Sequence, residues 1–373
     1  MKKINNVFDK ALTYENLLLA YERAKKNKGC RLEILQFEEK LEINLMNLLF
    51  VLKNGNYKIG NYRVFRVYEP KERIIKALPF VDRIVHQWYV YEFLIPYVVP
   101  KFIYDSYACL DNKGTHKASY RLRTFFKKNK RKYDEFYIIK MDIKKFFYNI
   151  DQNILFNIVK RHFKDKKLLQ LTMELIFDKD SKIGIPIGNY TSQYFANMYL
   201  NELDYYVKFE LKLKYYLRYM DDFVIIVKNK EEAKRVYKEV EQFIINKLKL
   251  ELNHKSRIYP SKMGVDFCGY RVFHNFVLVR KRSIKKIKSN LKLWKHETNN
   301  CCLDIDKVLA SLNSWRAHIS HSNSYNLGKK YYYKTIILVY NYALLTLPLN
   351  VVDEYIFPEK KVQKFLNELT FIE

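Results

Sequence analysis

The chain has 373 residues with a formal charge of +28 (68 Lys and Arg against 40 Asp and Glu), and hydrophobic residues make up 49% of it and aromatic ones 16%. That length and apolar content exclude a small disulfide scaffold and a disordered basic tail, and the charge excess asks for a polyanion, either nucleic acid or an anionic membrane surface. The five scattered cysteines, Cys30, Cys109, Cys268, Cys301 and Cys302, form no CxxC pair and read as reduced thiols of a cytoplasmic protein.

The N-terminus MKKINNVFDK has no apolar run or small-residue cleavage site, so secretion is not expected. Residues 1–56 read as a helical extension, because Leu17, Leu18, Tyr21 and then Ile34, Leu35, Phe37, Leu41, Leu45 and Leu48 recur near helical spacing. Asn54-Gly55-Asn56 ends that pattern. Tyr57 to Tyr68 alternates like a strand pair, and Asp82 to Tyr97 returns to a helical, aromatic-rich pattern. The run Lys127 to Lys132 marks a solvated loop or a helix end. Phe136 to Met141 is a short apolar strand with Asp142 at its end, followed by helical patterns over 152–163 and 168–177. A Gly- and Pro-containing turn over 183–188 leads to a helix from about Thr191 to Leu213.

Tyr215 to Tyr219 and Phe223 to Val227 read as strands flanking Met220-Asp221-Asp222. Adjacent carboxylates at a hairpin tip repel each other and give up hydration, and a purely structural turn is made more cheaply with Asn-Gly. A divalent cation removes the difficulty. Asp142, a second carboxylate at an apolar strand end, supplies what two-metal phosphoryl transfer needs: acidic groups from separate strands, with the ions about 4 Å apart. A charged amphipathic helix over 231–248 and further strands over 250–258 and 265–279 follow, after which the chain is helical and strongly basic. Phe93 to Ile103 is broken by Pro96, Pro100 and Lys101, and Thr335 to Val352 by Asn341, Pro348 and Asn350, so no membrane span is expected.

The motifs ERIIKALPFVDRIVHQ, KMDIKKFFYNID, GIPIGNYTSQYFANMYLNELD, YMDDFVII, LELNHKSRIYP and MGVDFCGYRV occur in this order, and with them the chain resembles reverse transcriptases from about residue 57 to 275 and more weakly to about 345. The resemblance implies an α/β (α+β) right-hand polymerase fold: fingers over 57–135, a palm with an antiparallel sheet over 136–278, and a helical thumb and tail over 279–373. It further implies two Mg²⁺ ions, with Mn²⁺ as an alternative, held by Asp142, the Ile143 carbonyl and Asp221, with Asp222 a weaker or outer member of the set.

For the incoming deoxynucleotide the resemblance implies Lys71 and Arg73 on the triphosphate, Phe147 as the ring that excludes a ribose 2′ hydroxyl, and Ile187, Gly188 and Gln193 lining the insertion site. Read from the residues alone, the lesser alternative for Phe147 is an ordinary core side chain, and the alternative for Ser192 and Gln193 is helix capping. Lys255 stands where the family places a proton donor to the leaving pyrophosphate, though a lysine there is ordinarily a surface residue. Met263, Gly264, Phe267, Gly269 and Tyr270 resemble the primer grip. Lys281, Arg282, Lys285, Lys288 and Lys292 decorate a helix whose other face carries Ile284, Ile287, Leu291 and Trp294; such a helix either solubilises the chain or tracks phosphates. Arg83 pairs with an acid or touches template, and His318 and His321 have a metal-like spacing but read as packing or RNA contacts.

Partners implied are an RNA template, DNA product and deoxynucleotides, with room for an accessory protein or homo-oligomer. Retroviral and intron relatives carry Gln where this chain has Ile187. The IGNxTSQ run instead resembles the bacterial branch of defence-associated and diversity-generating enzymes. The expected role is therefore the copying of a dedicated noncoding RNA in antiviral defence, with mutagenic retrohoming of a diversity-generating element as the alternative and a non-catalytic RNA-binding scaffold as the rival of another class.

Overall fold

The computed structural model describes residues 3–29, 31–68, 72–178 and 181–346. In chain order its principal elements begin with helices α1 (Tyr14–Lys25), α2 (Leu32–Glu38) and α3 (Leu41–Lys53), strands β1 (Arg63–Val67) and β2 (Arg73–Ala77), and helices α4 (Phe80–Tyr89) and α5 (Thr115–Lys130). Strand β3 (Tyr137–Asp142), helices α6 (Gln152–His162), α7 (Lys166–Ile176) and α8 (Tyr190–Tyr205), strands β4 (Tyr216–Tyr219) and β5 (Asp222–Val227), helix α9 (Lys230–Leu248) and strand β6 (Arg257–Pro260) follow. Strands β7 (Val265–Phe267), β8 (Tyr270–Val272) and β9 (Val277–Val279) and helices α10 (Lys281–Asn299), α11 (Ile305–Ile319) and α12 (Tyr325–Thr346) complete the order. The chain divides into one unit of Met1–Ala118 with Tyr133–Pro260 and another of Ser119–Lys132 with Ser261–Glu373.

The first unit is built on an antiparallel sheet of order β4-β5-β3-β6. Central β3 is flanked on both edges, with Tyr137 opposite Val227 and Asp142 opposite Asp222 on one side and Tyr137 opposite Pro260 on the other. Ile138, Ile139 and Met141 are buried, as are Phe223 through Val227, which is why FYIIKM and FVIIV read as strongly apolar strands. Helix α9 packs on this sheet. Its start is set by Asn229, whose side-chain oxygen accepts from the Glu232 amide, and its end by Lys249 in the left-handed region. Asp151 caps α6, and Asp165 caps α7 while also accepting from the amides of Val7 and Phe8. One carboxylate thereby ties the N-terminal segment to the start of α7.

Two segments depart from expectation. Residues 57–62 form no strand: Tyr57 donates to Asp82 (2.6 Å), and Gly60 donates to the same carboxylate (3.2 Å), so these side-chain partners replace a ladder. Only 63–67 is a paired strand, and it pairs with β2 rather than within 57–68. Helix α8 ends at Tyr205 and widens into a π-turn at Tyr206–Glu210 instead of running to residue 213.

His86 on α4 is fully buried, with Nδ1 2.7 Å from the Thr191 hydroxyl on α8 and no hydrogen-bond partner for Nε2 among the described residues. Burial pushes its pKa down to about 3, so the ring is neutral in the folded chain. The unfolded chain takes up the proton near about 6.5. Between these values the unfolded state binds more protons, so stability is lost as pH falls through that window. Urea unfolding between about pH 6 and about pH 4 should show a decline approaching about 1.4 kcal/mol per pH unit from this site. His86→Gln, which still offers Thr191 a partner, should remove that share of the slope; an unchanged slope would place the loss elsewhere.

The second unit holds the antiparallel sheet β7-β8-β9 and a helical layer whose core includes Ile287, Trp294, Val308, Leu312, Trp315, Tyr331 and Val339. No helix among the described residues is long and apolar enough to cross a membrane. The expected break of Thr335 to Val352 at Pro348 lies outside the described residues beyond Thr346.

Candidate active site

Strand β3 delivers Asp142 at its last position, and β4 turns into β5 through Met220 and Asp221, with Met220 in the left-handed region at φ 55°. The Asp221 carbonyl accepts from the Ile143 amide (3.2 Å), so the turn is stitched to the end of β3. Burial first, and the Asp142 carboxylate second, push the Asp221 carboxyl up to about 6; Lys140 and Arg73 oppose the shift. A carboxylate at the end of β3 and one in the β4–β5 turn are thus close enough for the first to make the second costly to ionise.

Asp222 is differently placed. Its carboxylate forms an ion pair with Lys140 of β3, and among the described residues no group of three or more His, Cys, Asp or Glu side chains converges. The acidic pair of Asp142 and Asp221, beside the backbone at Ile143, is the candidate donor set. Hard oxygen donors with mutual repulsion are the chemistry that suits Mg²⁺ or Mn²⁺, and the residues present fit such an ion.

Around this pair, Asp142 is held from the 253–256 loop. The Asn253 amide donates to the Asp142 carbonyl (2.7 Å), Asn253 Nδ2 lies 3.3 Å from Asp142 Oδ2, and the Asp142 amide donates to Ser256 Oγ (3.2 Å). Lys255 is exposed on this loop, two residues beyond Asn253, and its amide donates to the Asn253 side chain. Phe147 is half-buried, packed edge-on to Phe146 at 5.6 Å, and its carbonyl accepts from the Ile185 amide (2.8 Å).

The motif around Gly188 meets β2, where the Lys76 amide donates to the Ile187 carbonyl (2.9 Å). Gly188 has φ 129°, and a Cβ there would lie 2.5 Å from the Lys76 carbonyl oxygen, so no other residue fits without moving the strand. Helix α8 starts at Tyr190, with Asn189 as the N-cap residue. Ser192 and Gln193 therefore lie inside the helix and do not cap it; Gln193 is exposed and Ser192 buried. Arg73 is exposed at the start of β2, while Lys71 lies outside the described residues. Arg83 pairs with Glu33 (3.0 Å) and donates to the Leu78 carbonyl, so the acid it meets is Glu33 rather than its neighbour Asp82.

In the second unit, Phe267 and Tyr270 are buried in the β7-β8-β9 sheet, and Met263 is exposed. Gly264 at φ 62° faces the Phe273 ring, which a Cβ would approach to 2.7 Å. Gly269 lies against His318, whose ring stacks on Tyr270 at 4.7 Å and lies 3.1 Å from its hydroxyl through Nδ1. His321 meets Tyr120 at 3.0 Å. The two histidines are thus packed against tyrosines. Lys281, Arg282, Lys285, Lys288 and Lys292 are all exposed on α10, while Ile287 and Trp294 are buried. Cys109, Cys268, Cys301 and Cys302 are thiols rather than disulfides.

The residues that strand and turn patterns alone did not single out are Lys140, Arg218 and Asn253. Each reads as an ordinary polar position in its segment, and only long-range pairing identifies it.

The family model for reverse transcriptase (RNA-dependent DNA polymerase) matches residues 59–272. The group II intron-encoded protein LtrA of Lactococcus lactis subsp. cremoris is 25% identical over 376 residues, covering 76% of this chain and 60% of that protein. The putative COX1/OXI3 intron 2 protein of Saccharomyces cerevisiae is 26% identical over 201 residues, covering 36% of this chain and 24% of that protein. The chain thus spans less than two thirds of the length of either relative. Among solved structures, apo telomerase from Candida tropicalis aligns with a TM-score of 0.44 at 14% identity, covering 78% of this chain and 58% of that one. With more than half of its residues matched by the family model, the chain belongs to the reverse transcriptase (RNA-dependent DNA polymerase) family.

Proposed function

We propose that the protein is an RNA-directed DNA polymerase that adds deoxynucleotides to a primer 3′ end on an RNA template. The observation that carries this reading is the convergence of Asp142 and Asp221 from β3 and the β4–β5 turn. In the reaction the 3′ hydroxyl gives up its proton to solvent and its oxygen attacks the α-phosphorus of the deoxynucleotide, the bond from that phosphorus to the oxygen bridging it to the β-phosphorus breaks, and pyrophosphate leaves. Divalent cations, when bound, activate the 3′ hydroxyl and neutralise charge on the triphosphate.

The chain's own residues do the rest. Asp142, Asp221 and the Ile143 carbonyl hold the ions, with Asp222 as an outer carboxylate kept by Lys140. Arg73, whose charge already reaches Asp221, grips the triphosphate together with Lys71. Lys255 gives a proton to the leaving pyrophosphate. Phe147 excludes the 2′ hydroxyl, and Ile187, Gly188 and Gln193 line the nascent base pair. Met263, Gly264, Phe267, Gly269 and Tyr270 form the primer grip, and the exposed cations of α10 follow phosphates of the product duplex. The assignment of fingers, palm and thumb to 57–135, 136–278 and 279–373 belongs to the same reading.

The finer proposal is that the template is a dedicated noncoding RNA and the setting a bacterial antiviral defence system; it is supported by the Ile187-Gly188-Asn189 and Ser192-Gln193 pattern. Sequencing the nucleic acid that copurifies with wild-type protein and with Asp221→Ala tests both levels. One RNA in both samples, with complementary DNA only in wild type, is expected. RNA in both and DNA in neither, with no primer extension by purified protein on an RNA template, would favour the scaffold. Adenine-biased errors in the DNA would favour diversification over defence.

A further inference from the structure

Arg218 of β4 is a charged side chain with no exposure at all, and so is its partner Asp204 in the last turn of α8. The guanidinium makes four hydrogen bonds. Nε and Nη2 donate to the two oxygens of Asp204 (2.7 and 2.6 Å), and Nη1 donates to Asn197 Oδ1 (3.0 Å) and to the Met220 carbonyl (3.2 Å). Asp204 also accepts from the Tyr216 hydroxyl (2.6 Å), and buried Asn197 donates to the Ala108 carbonyl (2.9 Å). On the strand's outer edge, the Arg218 amide donates to the Asp105 carbonyl and its carbonyl accepts from the Tyr107 amide.

A buried ion pair is poor evidence for stability, because well-packed apolar residues do as well or better in its place. What an apolar pair cannot do is reach the Met220 carbonyl. That carbonyl and the next one, on Asp221, bracket the turn: Arg218 holds the first, and the Ile143 amide holds the second. Met220 itself sits in the left-handed region, which a non-glycine residue keeps only when its surroundings impose it.

We propose that Arg218, clamped by Asp204 and Asn197 on α8, is a positioning residue that fixes the Met220–Asp221 turn and so sets the placement of the Asp221 carboxylate against Asp142. The proposal rests on the reading of Asp142 and Asp221 as the metal-holding pair. Helix α8 thereby acts twice, carrying Gln193 at its start and anchoring the catalytic hairpin through Asn197 and Asp204 at its middle and end. The planar fork of arginine presents five N–H donors in fixed directions and here serves a carboxylate and two further acceptors at once, whereas a lysine ammonium gathers three donors at a single point and lacks that spread.

The test pairs Arg218→Met with Asp204→Leu, which removes both buried charges together. The double variant should fold with a melting temperature near wild type and bind an RNA–DNA primer–template with unchanged affinity. Its kcat should fall about 100-fold with KM for deoxynucleotide within about threefold, as expected for a misplaced reacting group. Mn²⁺ binding to the protein without nucleic acid, followed by electron paramagnetic resonance, should weaken in parallel. A folded double variant with wild-type kcat and Mn²⁺ affinity overturns the proposal. Should the double variant fail to fold, Arg218→Lys decides, since it keeps the charge pair: folded protein with wild-type kcat and Mn²⁺ affinity overturns the proposal, and a selective loss of both supports it. Asp221→Asn run alongside separates the two levels. Activity surviving in Asp221→Asn would overturn the acidic-pair reading itself, whereas an inactive Asp221→Asn beside a fully active Arg218 variant would overturn only the positioning role.

Discussion

Asp221→Asn should lower the rate of deoxynucleotide incorporation by about a thousandfold or more, equivalent to roughly 4 kcal/mol of transition-state stabilisation, because the side chain keeps its shape but loses the charge that holds a cation. Stability should move the other way. Burial and the Asp142 carboxylate make the Asp221 charge costly in the folded chain, so removing it should raise the melting temperature in metal-free buffer near neutral pH. Affinity for RNA should stay the same, since the exposed cations of α10 are untouched. Primer extension, thermal unfolding and filter binding on one preparation would show all three. A variant that loses its fold would mean that the carboxylate is structural, and one that retains incorporation would remove Asp221 from the reaction.

Phe147→Ala should reduce the preference for deoxynucleotides over ribonucleotides, measured as a ratio of kcat/KM values, by about 100-fold, or roughly 2.7 kcal/mol. The ring is half-buried and packs edge-on against Phe146, while its backbone is pinned by the Ile185 amide. Truncation therefore removes the ring without freeing the backbone that places it. A core side chain of this kind would instead report its loss in stability. Single-nucleotide incorporation with matched sugar pairs separates the two: lower melting temperature with an unchanged sugar ratio would leave Phe147 as packing alone.

Much of the sheet could be read directly from pattern. FYIIKM and FVIIV are apolar because β3 and β5 are covered on both faces, and Asp142 and Asp221 stand out because they lie at the ends of such runs. The basic helix after residue 280 is legible for a similar reason, since Ile287 and Trp294 fall on one side of a 3.6-residue period and the lysines on the other. Local pattern fails where a distant partner decides. Residues 57–62 alternate like a strand, yet the Asp82 carboxylate takes their hydrogen bonds. Ser192 and Gln193 resemble capping residues, but the helix begins before them at Tyr190.

The family, the order of strands and helices around the two strand-end carboxylates, and the excess of positive charge on one face of the basic helix were all legible along the chain, because periodicity, composition and motif spacing are properties of sequence neighbours. Three further features emerge only once the chain is folded: Asp222 is paired with Lys140, His86 is a neutral imidazole against Thr191, and Arg218 bridges α8 and the Met220 carbonyl. Each of these joins residues on different elements, from Arg218 and Asp204, 14 apart, to His86 and Thr191, 105 apart. The energy of a buried charge or an orphaned ring nitrogen depends on the groups that close around it, which no local pattern records.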